Sequence, residues 1–160
     1  MLNLTGVYEC KVDEKGRLML PSNLKKQLTP VLNEGFVVKR SVFQKCLELY
    51  PMPEWNAESA EVSKLNRFNK KNQDFIRMFM VGVKSVELDN AGRLLIPKDL
   101  TAFAKITRNV VLSSSVNRIE IWDKEAYEEV IRDGVDSFAE LAEEVMGNKS
   151  NNDSDLNDVS

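Results

Sequence analysis

Residues 6–24 read GVYECKVDEKGRLMLPSNL and residues 82–100 read GVKSVELDNAGRLLIPKDL, identical at eight of nineteen positions. The shared core is apolar-Asp-x-x-Gly-Arg-Leu-apolar-apolar-Pro, carried by Asp13, Gly16, Arg17, Leu18 and Pro21 and again by Asp89, Gly92, Arg93, Leu94 and Pro97. A unit this short cannot bury a core alone, so the two copies are expected to pack together as one pseudo-symmetric body. The same turn arginine is then presented twice.

Local patterning extends each copy in the same way. An alternating strand (Cys10 and Val12; Val86 and Leu88) leads into the turn, where Asp can bond back to the backbone and Gly can take the left-handed conformation of a bulged hairpin. A return strand follows, and Pro21 or Pro97 ends it at a short helix, Asn23 to Leu28 or Lys98 to Ile106. A second hairpin then joins residues 36–40 to 47–50, and 110–112 to 119–122, with Glu48 and Glu120 expected outward. Between the copies, Trp55 to Met80 has no proline or glycine and spaces Val62, Leu65, Phe68, Phe75, Met78 and Phe79 for one or two amphipathic helices. Asp123 can cap a further helix that Asp133-Gly134 is expected to interrupt, before a second apolar face from Val135 to Val145. The expected divisions are therefore 1–53 (first repeat), 54–80 (connecting helical segment), 81–123 (second repeat), 124–147 (C-terminal helical segment) and 148–160, a polar acidic tail expected to be disordered. The fold class is α+β, mainly β with helices.

Composition narrows the chemistry. The 160 residues include no histidine, which removes His-based triads, general bases and metal ligands together. Cys10 and Cys46 form no disulfide framework and no C-x-x-C pair, so neither a metal nor a cofactor is expected. No apolar run approaches the roughly 18 residues of a membrane span, and the first residues lack the pattern of a signal peptide, so a cytoplasmic location is expected. The net charge of −3 is unevenly spread: residues 1–50 carry 8 Lys and Arg against 5 Asp and Glu, whereas residues 101–160 carry 6 against 13. The repeats are thus mildly basic and the C-terminal part strongly acidic.

An arginine beside the turn glycine admits two roles. It can pair with the turn Asp and pin the hairpin, or it can present a planar fork to phosphate or guanine. The doubled elements DEKGRLMLP and DNAGRLLIP, trailed by the strands LELYP and IEIWD, resemble the MraZ family of bacterial transcriptional regulators, within the AbrB-like swapped-hairpin superfamily. The resemblance spans residues 1 to about 145. It implies two tandem swapped-hairpin repeats that form one pseudo-two-fold, β-barrel-like body and assemble into ring-shaped homo-oligomers. It also implies binding to repeated motifs in double-stranded DNA, at the promoter of the division and cell-wall gene cluster, usually as a repressor that includes its own gene; nucleoid association would follow.

The family's Asp-x-x-x-Arg element falls on Asp13 and Arg17 and on Asp89 and Arg93. The expected DNA-binding residues are Lys15, Arg17, Arg93 and Lys11, supported in their turns by Asp13, Gly16, Asp89 and Gly92. Lys15 and Lys11 correspond to Ala91 and Glu87, so the first turn is expected to be the main DNA surface. One alternative is an antitoxin of the same superfamily that binds its own promoter and holds a toxin through its tail. An enzyme is not expected, because Asp13 and Asp89 each sit in a turn that needs them structurally, with no apolar pocket to raise a pKa.

Overall fold

The computed structural model describes residues 2–147; the expected acidic tail, 148–160, lies outside the described residues. The chain divides into two compact units, Met1–Lys124 and Glu125–Ser160. In the first, the order is β1 (Val7–Lys11), β2 (Arg17–Met19), α1 (Ser22–Leu28), a 3₁₀ turn (Thr29–Glu34), β3 (Phe36–Arg40), β4 (Leu47–Pro51), α2 (Met52–Ser63), α3 (Lys70–Met80), β5 (Lys84–Val86), β6 (Arg93–Leu95), α4 (Lys98–Phe103), β7 (Asn109–Ser115) and β8 (Arg118–Asp123). Pro21, Pro51 and Pro97 each sit at the N-cap of a helix with φ of −57°, extended backbone that turns directly into the first helical residue.

Strand exchange between the repeats organises this unit. A six-stranded sheet runs β1-β7-β8-β4-β3-β5, and β2 pairs with β6 as a separate ribbon. Replacing each strand by its counterpart in the other repeat reverses both orders onto themselves, so the pairing obeys a pseudo-two-fold. The first strand of each repeat lies against the other repeat: β1 on β7, β5 on β3. Within the first repeat, β1 and β2 form no ladder of their own: just past β1 the Val12–Leu18 bridge and the Asp13 N–H donating to Arg17 O at 3.0 Å close the turn. The strands therefore do not close into a barrel; they form an open antiparallel sheet with a ribbon beside it.

Both faces of this sheet are buried in the first repeat, and period-two alternation decides which residues each face receives. One face places Phe36, Val38, Leu47, Leu49, Leu112, Ile119 and Ile121 in the main core with Leu18 and Leu94 of the ribbon and Leu24, Leu28 and Leu100 of α1 and α4. On the other face Val37 and Tyr50 meet Trp55 of α2 and Phe79 of α3, with Trp55 and Phe79 stacked at 6.0 Å. Glu48 lies on that second face and is only 6% exposed, contrary to the expectation that it points outward. Its charge is accommodated by Arg118 Nη1 at 3.0 Å and the Tyr50 hydroxyl, which donates at 2.7 Å. Phe68 also departs from its expected place in a helix face. It falls in the link between α2 and α3 and is fully exposed.

Within the second unit, α5 (Lys124–Val135) is followed by α6 (Phe138–Ala142) and a π turn (Glu143–Gly147). α5 ends at Val135, one residue after Gly134, and α6 opens at Phe138, so the expected interruption is present and displaced by one residue.

Gly16 and Gly92 both have positive φ, +87° and +80°, but their surroundings differ. A Cβ on Gly16 would stand 2.8 Å from the Ile96 carbonyl oxygen, whereas on Gly92 its nearest neighbour would be the flexible Lys25 amine at 3.3 Å. Gly16→Ala is therefore expected to destabilise by more than the roughly 1–3 kcal/mol of its backbone strain, and Gly92→Ala by that strain alone. Thermal melts of the two variants check this, and equal losses would contradict it.

Candidate nucleic-acid interface

The two turns are built alike, atom for atom. Asp13 Oδ1 accepts from the backbone N–H groups of Lys15 and Arg17 at 3.0 and 2.9 Å, and Asp13 Oδ2 accepts from Arg17 Nε at 2.7 Å. Asp89 repeats this with Ala91, Arg93 and Arg93 Nε, all at 2.9 Å. Each turn closes with the glycine N–H donating to the Asp carbonyl at 3.0 Å. The short Asp side chain replaces missing ladder bonds, which is why this residue type opens the turn. Lys15 and Lys11 are both exposed, one on the turn and the other at the end of β1.

Pinning and presentation prove to be one arrangement. The ion pair engages Nε, so Nη1 and Nη2 of Arg17 and Arg93 have no acceptor among the described residues. Each guanidinium is thus oriented by its Asp while its terminal fork remains available. Both arginine side chains are 33% exposed and both aspartates 39%, so solvent screens the pairs and they add little to stability.

Ribbon pairing brings the arginines together. In the β2–β6 register Arg17 lies opposite Leu95 and Met19 opposite Arg93, with Leu18 opposite Leu94 between them. Leu18 and Leu94 point into the core, while Met19 and Leu95 are half exposed. The outward face therefore carries Arg17, Met19, Arg93 and Leu95, with the two arginines on a diagonal of about 7–8 Å. Reciprocal bonds lace the turns across the axis: Ile96 N–H donates to Gly16 O at 2.8 Å and Leu20 N–H to Gly92 O at 3.3 Å.

Exchange also moves Lys25 to a place that linear reading misses. This α1 residue belongs to the first repeat, yet its amine lies beside Gly92 of the second turn. It supplies a cation where Ala91 and Glu87 replace Lys15 and Lys11. Only the pairing of β2 with β6 reveals that juxtaposition.

Hydrogen bonds from the backbone N–H of Arg17 and of Arg93 are the main cause that holds Asp13 and Asp89 below the ordinary carboxylate value of 3.8. That is the opposite of what a general acid at neutral pH requires. The cysteines are equally unsuited to thiolate chemistry: burial pushes Cys10 up to about 11 and Cys46 up to about 12. Since the folded aspartates have depressed values, their contribution to stability is complete above pH 3.8 and is lost as the pH falls through those lower values. Asp13→Asn with Asp89→Asn is expected to flatten the acid limb of the stability curve. Melts across about pH 2–6 check it, and an unchanged limb would contradict it.

The family model described as "MraZ protein, putative antitoxin-like" matches residues 4–78 and 78–149, one match per repeat. A protein of Christiangramia forsetii named "Transcriptional regulator MraZ" is 64% identical over 148 residues, covering 92% of this chain and 96% of its own length. Proteins of the same name from Flavobacterium psychrophilum and Bacteroides thetaiotaomicron are 64% identical over 148 residues and 36% identical over 154. The first covers 92% of this chain and 94% of its own length, the second 96% and 98%.

Proposed function

The chain belongs to the MraZ family, and from that premise we propose that it is a transcriptional regulator which reads double-stranded DNA with the outward face of its β2–β6 ribbon. The observation that carries this reading is the placement of Arg17 and Arg93 on one ribbon face with both terminal forks unpaired among the described residues. A two-stranded ribbon fits the major groove of B-DNA, and arginine there pairs bidentately with guanine O6 and N7. The diagonal between the arginines spans about two base-pair rises of 3.4 Å. Lys15, Lys11 and Lys25 flank the turns where phosphates would pass, and phosphate contacts set register without carrying sequence.

The finer reading follows the family. The targets are repeated promoter motifs of the division and cell-wall gene cluster, the effect is repression that includes the protein's own gene, and homo-oligomeric assembly, as a ring, repeats the contact across subunits. The place of action is the cytoplasm, at the nucleoid; no helix among the described residues is long and apolar enough to cross a membrane.

Binding to the gene's own upstream region and to unrelated DNA of equal length, measured at several salt concentrations, tests this. A preference for the upstream region that persists as salt rises supports specific readout, since the electrostatic part alone is lost with salt. Equal affinity for both sequences would defeat it. The family's antitoxin-like description favours one second reading, in which the chain neutralises a toxin; copurification of a small toxin would support it.

A further inference from the structure

Away from the ribbon, the loop joining β3 to β4 frames a groove of about 350 Å³ lined by eleven residues, none of them acidic. Arg40 and Lys45 hold their charges over the Phe103 ring, at 4.8 and 4.7 Å, and Arg40 Nε is buried with no hydrogen-bond partner among the described residues. Around these cations the groove is apolar and open: Phe43 is 91% exposed, Met78 68% and Val42 52%. In a chain whose net charge is −3, a surface with this composition is matched to an acidic, apolar partner.

The chain carries such a segment itself. In residues 138–147 the apolar side chains Phe138, Leu141 and Val145 recur at spacings of three and four and are 66%, 54% and 61% exposed. Glu140, Glu143 and Glu144 stand between them, and the segment contains no lysine or arginine.

We propose that the groove of one copy receives residues 138–147 of a second copy, with Phe138, Leu141 and Val145 against Val42, Phe43 and Met78 and with Glu140 and Glu144 facing Arg40 and Lys45. This rests on the homo-oligomeric reading above and names the surfaces that make it. The groove and the segment are different surfaces, so the contact is heterologous: each copy has one of each to offer, and association continues head to tail until it closes. The two arginine turns belong to neither surface and remain free for DNA.

Charge exchange tests the pairing. Lys45→Glu alone, and Glu144→Lys alone, are each expected to weaken self-association at least tenfold in sedimentation equilibrium, while the two substitutions together restore it. Phe43→Ser, at a side chain 91% exposed and therefore not needed for folding, is expected to weaken it likewise. Circular dichroism on the same samples reports that the fold is kept. A parent protein that stays monomeric at every concentration overturns the homo-oligomeric reading itself. An oligomeric parent whose association is unmoved by these changes, or not restored by the double combination, overturns this interface and leaves that reading standing.

Discussion

Arg17→Ala is expected to lower DNA affinity by about 5–150-fold for each engaged subunit while leaving melting temperature and assembly nearly unchanged, because a bidentate base contact is worth about 1–3 kcal/mol. The fold should survive because the Asp13 pair is solvent-screened and Asp13 keeps its bonds to the Lys15 and Arg17 backbone, which the substitution does not touch. Where several subunits engage one repeated site the losses accumulate. Arg93→Ala is expected to cost less. The two guanidiniums are held identically, so the difference comes from their surroundings: the first turn has Lys15 and Lys11, and the second has Lys25 alone beside Gly92. Parallel measurement of affinity, melting temperature and mass on both variants checks this. Equal losses would mean that the arginines alone set the contact and the flanking lysines do not.

Leu18→Ala is expected to have the largest effect on stability. Leu18 is fully buried, sits opposite Leu94 across the ribbon, and joins the core that both repeats share. Truncating a buried leucine costs about 2–5 kcal/mol, the spread reflecting how far the site can collapse. At this chain length that corresponds to a fall in melting temperature of about 5–20 °C. Leu94→Ala should cost a similar amount. Because the two side chains are direct partners, the double variant should not equal the sum of the singles. A strictly additive pair would show that the ribbon does not couple the repeats.

What was legible in the sequence was local. The Asp-x-x-Gly-Arg turn, the prolines that open helices and the alternation of the strands are each settled within a few residues, and the turn geometry at Asp13 and Asp89 follows from them. Strand exchange was legible only as a family expectation, because nothing in Val7–Lys11 itself says that it pairs with Asn109–Ser115 and not with its own hairpin partner. Lys25 was missed for the same reason. Glu48 was misplaced because alternation tells which residues share a face but not what covers that face; α2 and α3 cover it. Phe68 looked helical by spacing alone, yet Asn69, which caps α3 by accepting from Asn72 N–H at 3.3 Å, starts the helix after it.

Whether the paired arginine forks read DNA is tested most directly by a salt titration of binding to the upstream region and to unrelated DNA, with the parent protein and with Arg17→Ala/Arg93→Ala. The parent is expected to prefer the upstream region at every salt concentration, and the folded double variant to lose this preference while retaining the weaker, salt-sensitive binding supplied by Lys11, Lys15 and Lys25. A double variant that keeps its fold and still distinguishes the two sequences as well as the parent would contradict it.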